Sequence, residues 1–279
     1  MNEDNNFRNS IRNAYHRFGK RGISGITASS RVLPDFIIIG TVRSGSTSLY
    51  YNICEHPSVL DAAYDEIGYF DSNYHLGENW YRSMFPRQKI MDKIKNNTGY
   101  AMTGEDTPFY FWKKSVAERI FKDLPKSKMI IIFRNPVDRA FSNYNLGLRT
   151  KTEKLSFEEA IDEEMRFLEK NSFEKCANRK RSYLAKGFYD IQMNIWLNVF
   201  TKKQFHFLST EDMQKNPKNE LQNVFRFLEI PDYEIKNPQK QKSEKYEKMK
   251  DNTRKMLLEF YKSHNEKLFE SIGKRFDWN

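Results

Sequence analysis

The chain has 279 residues, a net charge of +10, 38% hydrophobic and 15% aromatic residues. That apolar load excludes a disordered chain; two cysteines exclude a disulfide framework; no apolar run of about 18 residues marks a membrane span. The surplus of positive charge asks for an anionic partner, whether nucleic acid, lipid surface, acidic glycan or phosphorylated cofactor.

Residues 1–30 read as a basic N-terminal extension to a domain over 31–279. The stretch MNEDNNFRNSIRNAYHRFGKRGIS has no apolar core of a secretory signal, so a cytoplasmic chain is expected. Phe7, Ile11 and Phe18 fall near one helical face, with Arg8, Arg12, Arg17, Lys20 and Arg21 around it. Such a helix is solvated or docks on protein, with weak contact to an anionic membrane as the alternative. FIIIG (36–40) is a short apolar run ending in glycine, the pattern of a buried parallel strand. SLYYNICEH then has helical spacing and stops at Pro57. A helix over SVAERIFKDLP leads to a second buried strand, KMIIIF (128–133), and a turn at Asn135-Pro136 opens another helix. The helix DIQMNIWLNVF, with Trp196 as core, precedes a third strand at 204–210; LQNVFRFLEI and 253–272 have helical periodicity. Cys54 and Cys176 fall in helices as buried free thiols. Strands alternating with helices predict a three-layer α/β/α domain with a mainly parallel sheet, whose ligands bind beyond the carboxyl ends of its strands.

Two segments begin at such ends. GTVRSGST (40–47) has the G-x-x-x-x-G-K-[ST] spacing of a nucleotide loop, with Ser46 in place of the lysine. A strand, a loop of small residues and a helix gather backbone N–H groups around one point, and the helix start adds positive potential. Arg43, Ser44, Gly45, Ser46, Thr47 and Ser48 therefore form a P-loop-like anion cradle. A capped turn without ligand is the plain alternative. A kinase or NTPase would also want the lysine and a metal-binding acid at a strand end, yet Arg134 follows KMIIIF. Metal ligands are not expected.

GTVRSGSTSLYY with HPSV, then EIGYFDSNYHLGENWY, then KMIIIFRNPVDRAFSNY resembles the sulfotransferase family. The likeness is greatest to its heparan-sulfate branch, including the sulfotransferase domain of the N-deacetylase/N-sulfotransferases, and runs from about residue 33 to 278. The family's donor is 3′-phosphoadenosine-5′-phosphosulfate (PAPS), which leaves as adenosine 3′,5′-bisphosphate. Its loop pattern is G-x-x-[KR]-[ST]-G-[ST]-[ST], so the positive residue stands at Arg43. The resemblance implies that Arg134 and Ser142 grip the 3′-phosphate, that Glu66 is the general base, and that Arg43 stabilises charge on the departing phosphate. His75 is a rival base. Asp65 stands where N-sulfotransferases carry an acid. GEDTPFYF (104–111) matches the acceptor-lining segment, with Asp106, Thr107 and Tyr110 as candidates; a strand-end turn with aromatic packing is the alternative. Arg181 and Tyr183 approach the nucleotide on this reading. Lys242, Lys245 and Tyr246 match a loop that closes over the donor, though Glu244 stands where the family has arginine. The acceptor is then a hydroxyl or amine of a carbohydrate or small molecule. A P-loop-type kinase and a basic nucleic-acid-binding protein are the alternatives, the latter without any recognition-helix, finger or RNA-platform signature.

Overall fold

The computed structural model describes residues 23–239 and 246–278. Its strands are β1 (Phe36–Gly40), β2 (Val59–Leu60), β3 (Met102–Asp106), β4 (Lys128–Phe133) and β5 (Phe205–Ser209). All pair in parallel, in the order β2-β3-β1-β4-β5. The expected parallel sheet is thus present, with β1, β4 and β5 where the apolar runs lie. β2 and β3 are additional to the expected strands, and the acceptor-lining candidate GEDTPFYF (104–111) begins inside β3.

The apolar runs are explained by cover on both faces. Ile37 and Ile39 pack with Met129, Ile131 and Phe133 on one side, and Phe36 and Ile38 with Ile130 and Ile132 on the other. Each such side chain contributes about 1.5–3 kcal/mol by leaving water.

The longer helices that form the site's surroundings are α1 (Ser46–Cys54), α2 (Lys114–Asp123), α3 (Pro136–Arg149), α4 (Phe157–Leu168), α5 (Tyr189–Leu197), α6 (Pro217–Leu228) and α7 (Asp251–Ile272). Leu49 and Ile53 of α1 join Leu221, Val224 and Phe225 of α6 over the Phe36/Ile38 face. α2, α5 and α7 cover the opposite face through Ile120, Met193, Trp196 and Leu268. The architecture is the expected three-layer α/β/α. Trp196 is fully buried, as its helical position suggested, and its indole N–H donates to the Phe111 carbonyl at 2.7 Å.

α3 and α4 build a further cluster with α7, through Val137, Tyr144, Phe157, Ile161 and Leu257. α3 begins at Pro136, which needs no N–H partner there, and the Asn135 side chain accepts the Val137 N–H at 3.0 Å. α4 opens with a capping box in which the Ser156 and Glu159 side chains each take the other's backbone N–H. Cys176 is buried and Cys54 partly so, both as free thiols.

Candidate active site

The carboxyl end of β1 turns tightly. A Cβ on Gly40 would stand 2.9 Å from the Phe111 Cβ, so the chain passes there only as glycine. Gly45, at φ 89°, makes the left-handed turn that starts α1, a conformation that side chains resist. Between them the Ser44 hydroxyl is fully buried and hydrogen-bonded to the Thr41 hydroxyl. The Thr210 hydroxyl lies 2.7 Å from the Ser44 carbonyl and 3.0 Å from that of Phe133, tying the loop to the ends of β5 and β4. Ser44 thus contributes its backbone and scaffolds the loop with its side chain. Ser46 is nearly buried, while Thr47 and Ser48 are partly open.

The two motifs, nearly a hundred residues apart in sequence, meet here. Arg43 Nε donates to Ser142 Oγ at 3.1 Å, and Arg134 Nη1 donates to the Arg43 carbonyl at 3.0 Å. The Tyr189 hydroxyl in turn donates to the Arg134 carbonyl at 3.0 Å. Asp138 is held by Arg254 at 2.6 Å, and the Asp106 carboxyl has no hydrogen-bond partner among the described residues, so neither acid engages Arg134. Arg139 of α3 is buried and donates to the Tyr183 carbonyl. Arg43 itself sits at φ 66°, a left-handed backbone that non-glycine residues hold only where the surroundings impose it, at a cost of about 1–3 kcal/mol.

Carboxyl groups gather on the β3 side. Glu66, also left-handed at φ 53°, donates its backbone N–H to the Asp106 carbonyl at 2.9 Å. Its side chain reaches solvent, yet the site walls raise its pKa by removing water, and the neighbouring Asp65 adds to the rise. The Tyr51 hydroxyl lies 2.6 and 2.8 Å from the two Asp65 oxygens. Asp106 ends β3 in register with Ile38, which turns it to the α1 face. Burial pushes its carboxyl up to about 7, helped by Asp65, Glu66 and Glu105, while the Thr47 hydroxyl acts the other way without closing a hydrogen bond. Burial likewise holds Glu105 up at about 7, against hydrogen bonds from Tyr81, Thr107 and Tyr110.

The remaining candidates divide. Thr107 donates to Glu105 at 2.9 Å, and Tyr110 is fully buried, accepting the Phe70 N–H at 3.1 Å. These two support the buried Glu105. His75 is exposed in a helical turn at Tyr74–Leu76 and contacts the Ser72 carbonyl, 3.1 Å away. Arg181 and Tyr183 both engage Glu153, at 3.4 and 2.8 Å. Lys242 and Lys245 lie outside the described residues. Tyr246 packs edge-on against Phe141, one position before Ser142, with ring centres 5.4 Å apart.

Sequence reasoning passed over Asn52. Its fully buried amide donates to the Gln239 carbonyl at 3.0 Å and accepts the Gln239 N–H at 2.6 Å. Pro238 and Gln239 thereby form one wall of a cavity of about 390 Å³, together with Gly45, Ser48, Leu49 and Ile132. An asparagine that mimics a backbone partner in both directions has no sequence signature of its own.

Two guanidiniums, a loop of backbone amides and an adjoining part-apolar cavity suit a ligand with two anionic groups and a flat base. Among the described residues no group of three or more His, Cys, Asp or Glu could hold a metal ion, and no helix is long and apolar enough to cross a membrane.

The comparisons agree with this geometry. A family model described as the sulfotransferase domain matches residues 33–279. The chain is 26% identical to the membrane-associated sulfotransferase kil1 of Dictyostelium discoideum, over 88% of this chain and 66% of that protein. It is 34% identical to heparan sulfate glucosamine 3-O-sulfotransferase 5 of Mus musculus, over 71% and 54%, and 27% identical to the bifunctional heparan sulfate N-deacetylase/N-sulfotransferase 3 of Homo sapiens, over 87% and 30%. The chain thus spans less than two thirds of these relatives' own length. Among solved structures, a sulfotransferase from Alicyclobacillus acidocaldarius shares the fold, with a TM-score of 0.67 at 24% identity over 88% of this chain and 98% of that one.

Proposed function

The chain belongs to the sulfotransferase domain family, and from that premise we propose that it moves the sulfuryl group of PAPS to a hydroxyl or amine, on a carbohydrate acceptor, by in-line displacement. The observation that carries this reading is the junction of Arg43, Ser142 and Arg134, which puts two fixed positive charges at the end of β1. PAPS, when bound, supplies an activated sulfuryl group on a phosphate that departs as an anion.

On this reading the chain's own groups divide the work as follows. Arg134 and Ser142 hold the 3′-phosphate, and the amides of Gly45 to Ser48 with Arg43 hold the 5′ end. The cavity walled by Leu49, Pro238 and Gln239 would hold the adenine. Arg43, always charged, stabilises the anion that develops on the departing oxygen. Glu66 removes the acceptor's proton; loss of water around it and the neighbouring Asp65 raise its pKa, which makes it a stronger base than a free carboxylate. Tyr246, packed against Phe141, flanks the 3′-phosphate end of the site. A cytoplasmic setting and no nucleic-acid partner belong to the same reading.

Incubation with PAPS and a panel of oligosaccharide acceptors is expected to release adenosine 3′,5′-bisphosphate. No release, together with no binding of that nucleotide by calorimetry, refutes the reading. One observation favours a second reading: Asp106 stands beside Thr47 at the end of the strand flanking β1, where a P-loop kinase places its metal-binding acid. That reading still lacks the loop lysine, and it predicts Mg²⁺-dependent consumption of ATP.

A further inference from the structure

The Asp106 carboxyl is the least satisfied charge-bearing group of the acidic side. It is fully buried, and neither of its oxygens has a hydrogen-bond partner among the described residues. Buried polar groups are nearly always paired, because an unpaired one forfeits its hydration with nothing in return. Asp106 is also fixed in place: it ends β3, and its carbonyl takes the Glu66 N–H at 2.9 Å. The backbones of Glu66 and Asp106 are thereby tied together, and the Asp106 carboxyl lies beside Thr47. Asp65 and Glu105 add their charges to the same spot.

We propose that Asp106 sets acceptor choice, favouring an acceptor that brings a cationic or hydrogen-bond-donating group and carries no carboxylate or sulfate beside the reacting atom. The inference rests on the sulfuryl-transfer reading and narrows its acceptor. An anionic substituent meeting Glu66 would enter the field of a second carboxylate through a poorly screening interior, whereas an ammonium or a pair of hydroxyls would gain from it. Discrimination of this kind comes as much from repelling the wrong acceptor as from gripping the right one. Held near 7, Asp106 is the carboxyl whose ionised form an incoming cation would secure. The relatives named for heparan sulfate act on a polyanion; the acidic side of this site points away from one.

The test uses PAPS and three oligosaccharides of equal length: a free-amine glucosamine polymer fragment, its N-acetylated neutral form, and a uronate-containing fragment. The wild-type chain is expected to show kcat/KM at least tenfold higher for the amine or neutral fragment than for the uronate one. In Asp106→Asn that ratio falls toward one, mainly through KM, while the Kd for adenosine 3′,5′-bisphosphate stays within twofold. A merely structural role would change kcat for all three alike. Preference for the uronate fragment, an unchanged ratio in Asp106→Asn, or turnover of none of the three despite nucleotide binding overturns the inference. So does a Mg²⁺ requirement that makes the preference vanish with chelator, since Asp106 would then hold a metal. Failure to bind the nucleotide at all instead removes the sulfuryl-transfer reading beneath it.

Discussion

Arg134→Ala separates the two jobs that its position assigns to this arginine. One is local: its 3.0 Å hydrogen bond seats the Arg43 carbonyl and with it the loop. The other is direct, a guanidinium on the 3′-phosphate. Loss of the seating bond costs about 0.5–1.5 kcal/mol and loss of a charge-assisted phosphate contact about 1.5–3 kcal/mol. Together these make about 2–4.5 kcal/mol, and the Kd for adenosine 3′,5′-bisphosphate should rise roughly 30- to 2000-fold. Adenosine 5′-monophosphate has no 3′-phosphate and should lose only the seating part, about 2- to 10-fold. Titration calorimetry of both nucleotides on both proteins gives the four constants. Equal losses for the two nucleotides would refute the assignment, because then the arginine acts on the loop alone.

Three further outcomes are expected. Glu66→Gln should keep nucleotide affinity and lose about 10²- to 10⁴-fold in kcat; in the wild type kcat should fall on the acid side, with a limb above the ordinary carboxylate range, because Glu66 must be ionised and its pKa is raised. A fully active Glu66→Gln moves the base elsewhere, to Asp65 or His75. Asn52→Ala removes two hydrogen bonds from the Gln239 wall, worth about 1–3 kcal/mol, and should weaken adenosine 3′,5′-bisphosphate while leaving inorganic sulfate or phosphate binding alone; unchanged nucleotide affinity would show that this wall does not meet the base. His206 is held down at about 4 by burial, with the Lys274 charge adding to it. The folded state therefore refuses a proton that the unfolded chain accepts below about 6.5, and stability is lost as pH falls. Between pH 7 and 5 this amounts to about 2 kcal/mol, so urea unfolding of His206→Phe should show a pH slope smaller by that much, and an identical slope excludes His206 as the source.

The sequence made the centre of the sheet legible and hid its β3 side. β1 and β4 are unbroken apolar runs because both faces are covered, and no other element type fits runs so short. β3 reads MTGED, and its two acids argue for solvent; in the structure Glu105 and Asp106 are among the most deeply buried residues. Pattern reading equates polarity with exposure, so a strand that carries acids into an active site looks like a turn. α4 was missed for a similar reason, its acid-rich surface masking a capping box at Ser156 and Glu159 that was there to be read. The loop and Arg134 were visible as motifs, and the structure adds their contact. Neither the unsatisfied state of Asp106 nor the Asn52 clasp follows from residue order, since each depends on what stands opposite in space.

Strand order has a mechanical consequence for the chemistry. β1 lies between β4, which delivers a guanidinium, and β3, which delivers carboxyl groups. On the proposed reading, the anionic donor would lie toward β1 and β4 and the proton-shedding acceptor toward β3, so the displacement would run across three adjacent strands. A direction of reaction that looks like a property of side chains is inherited from how the backbone was threaded.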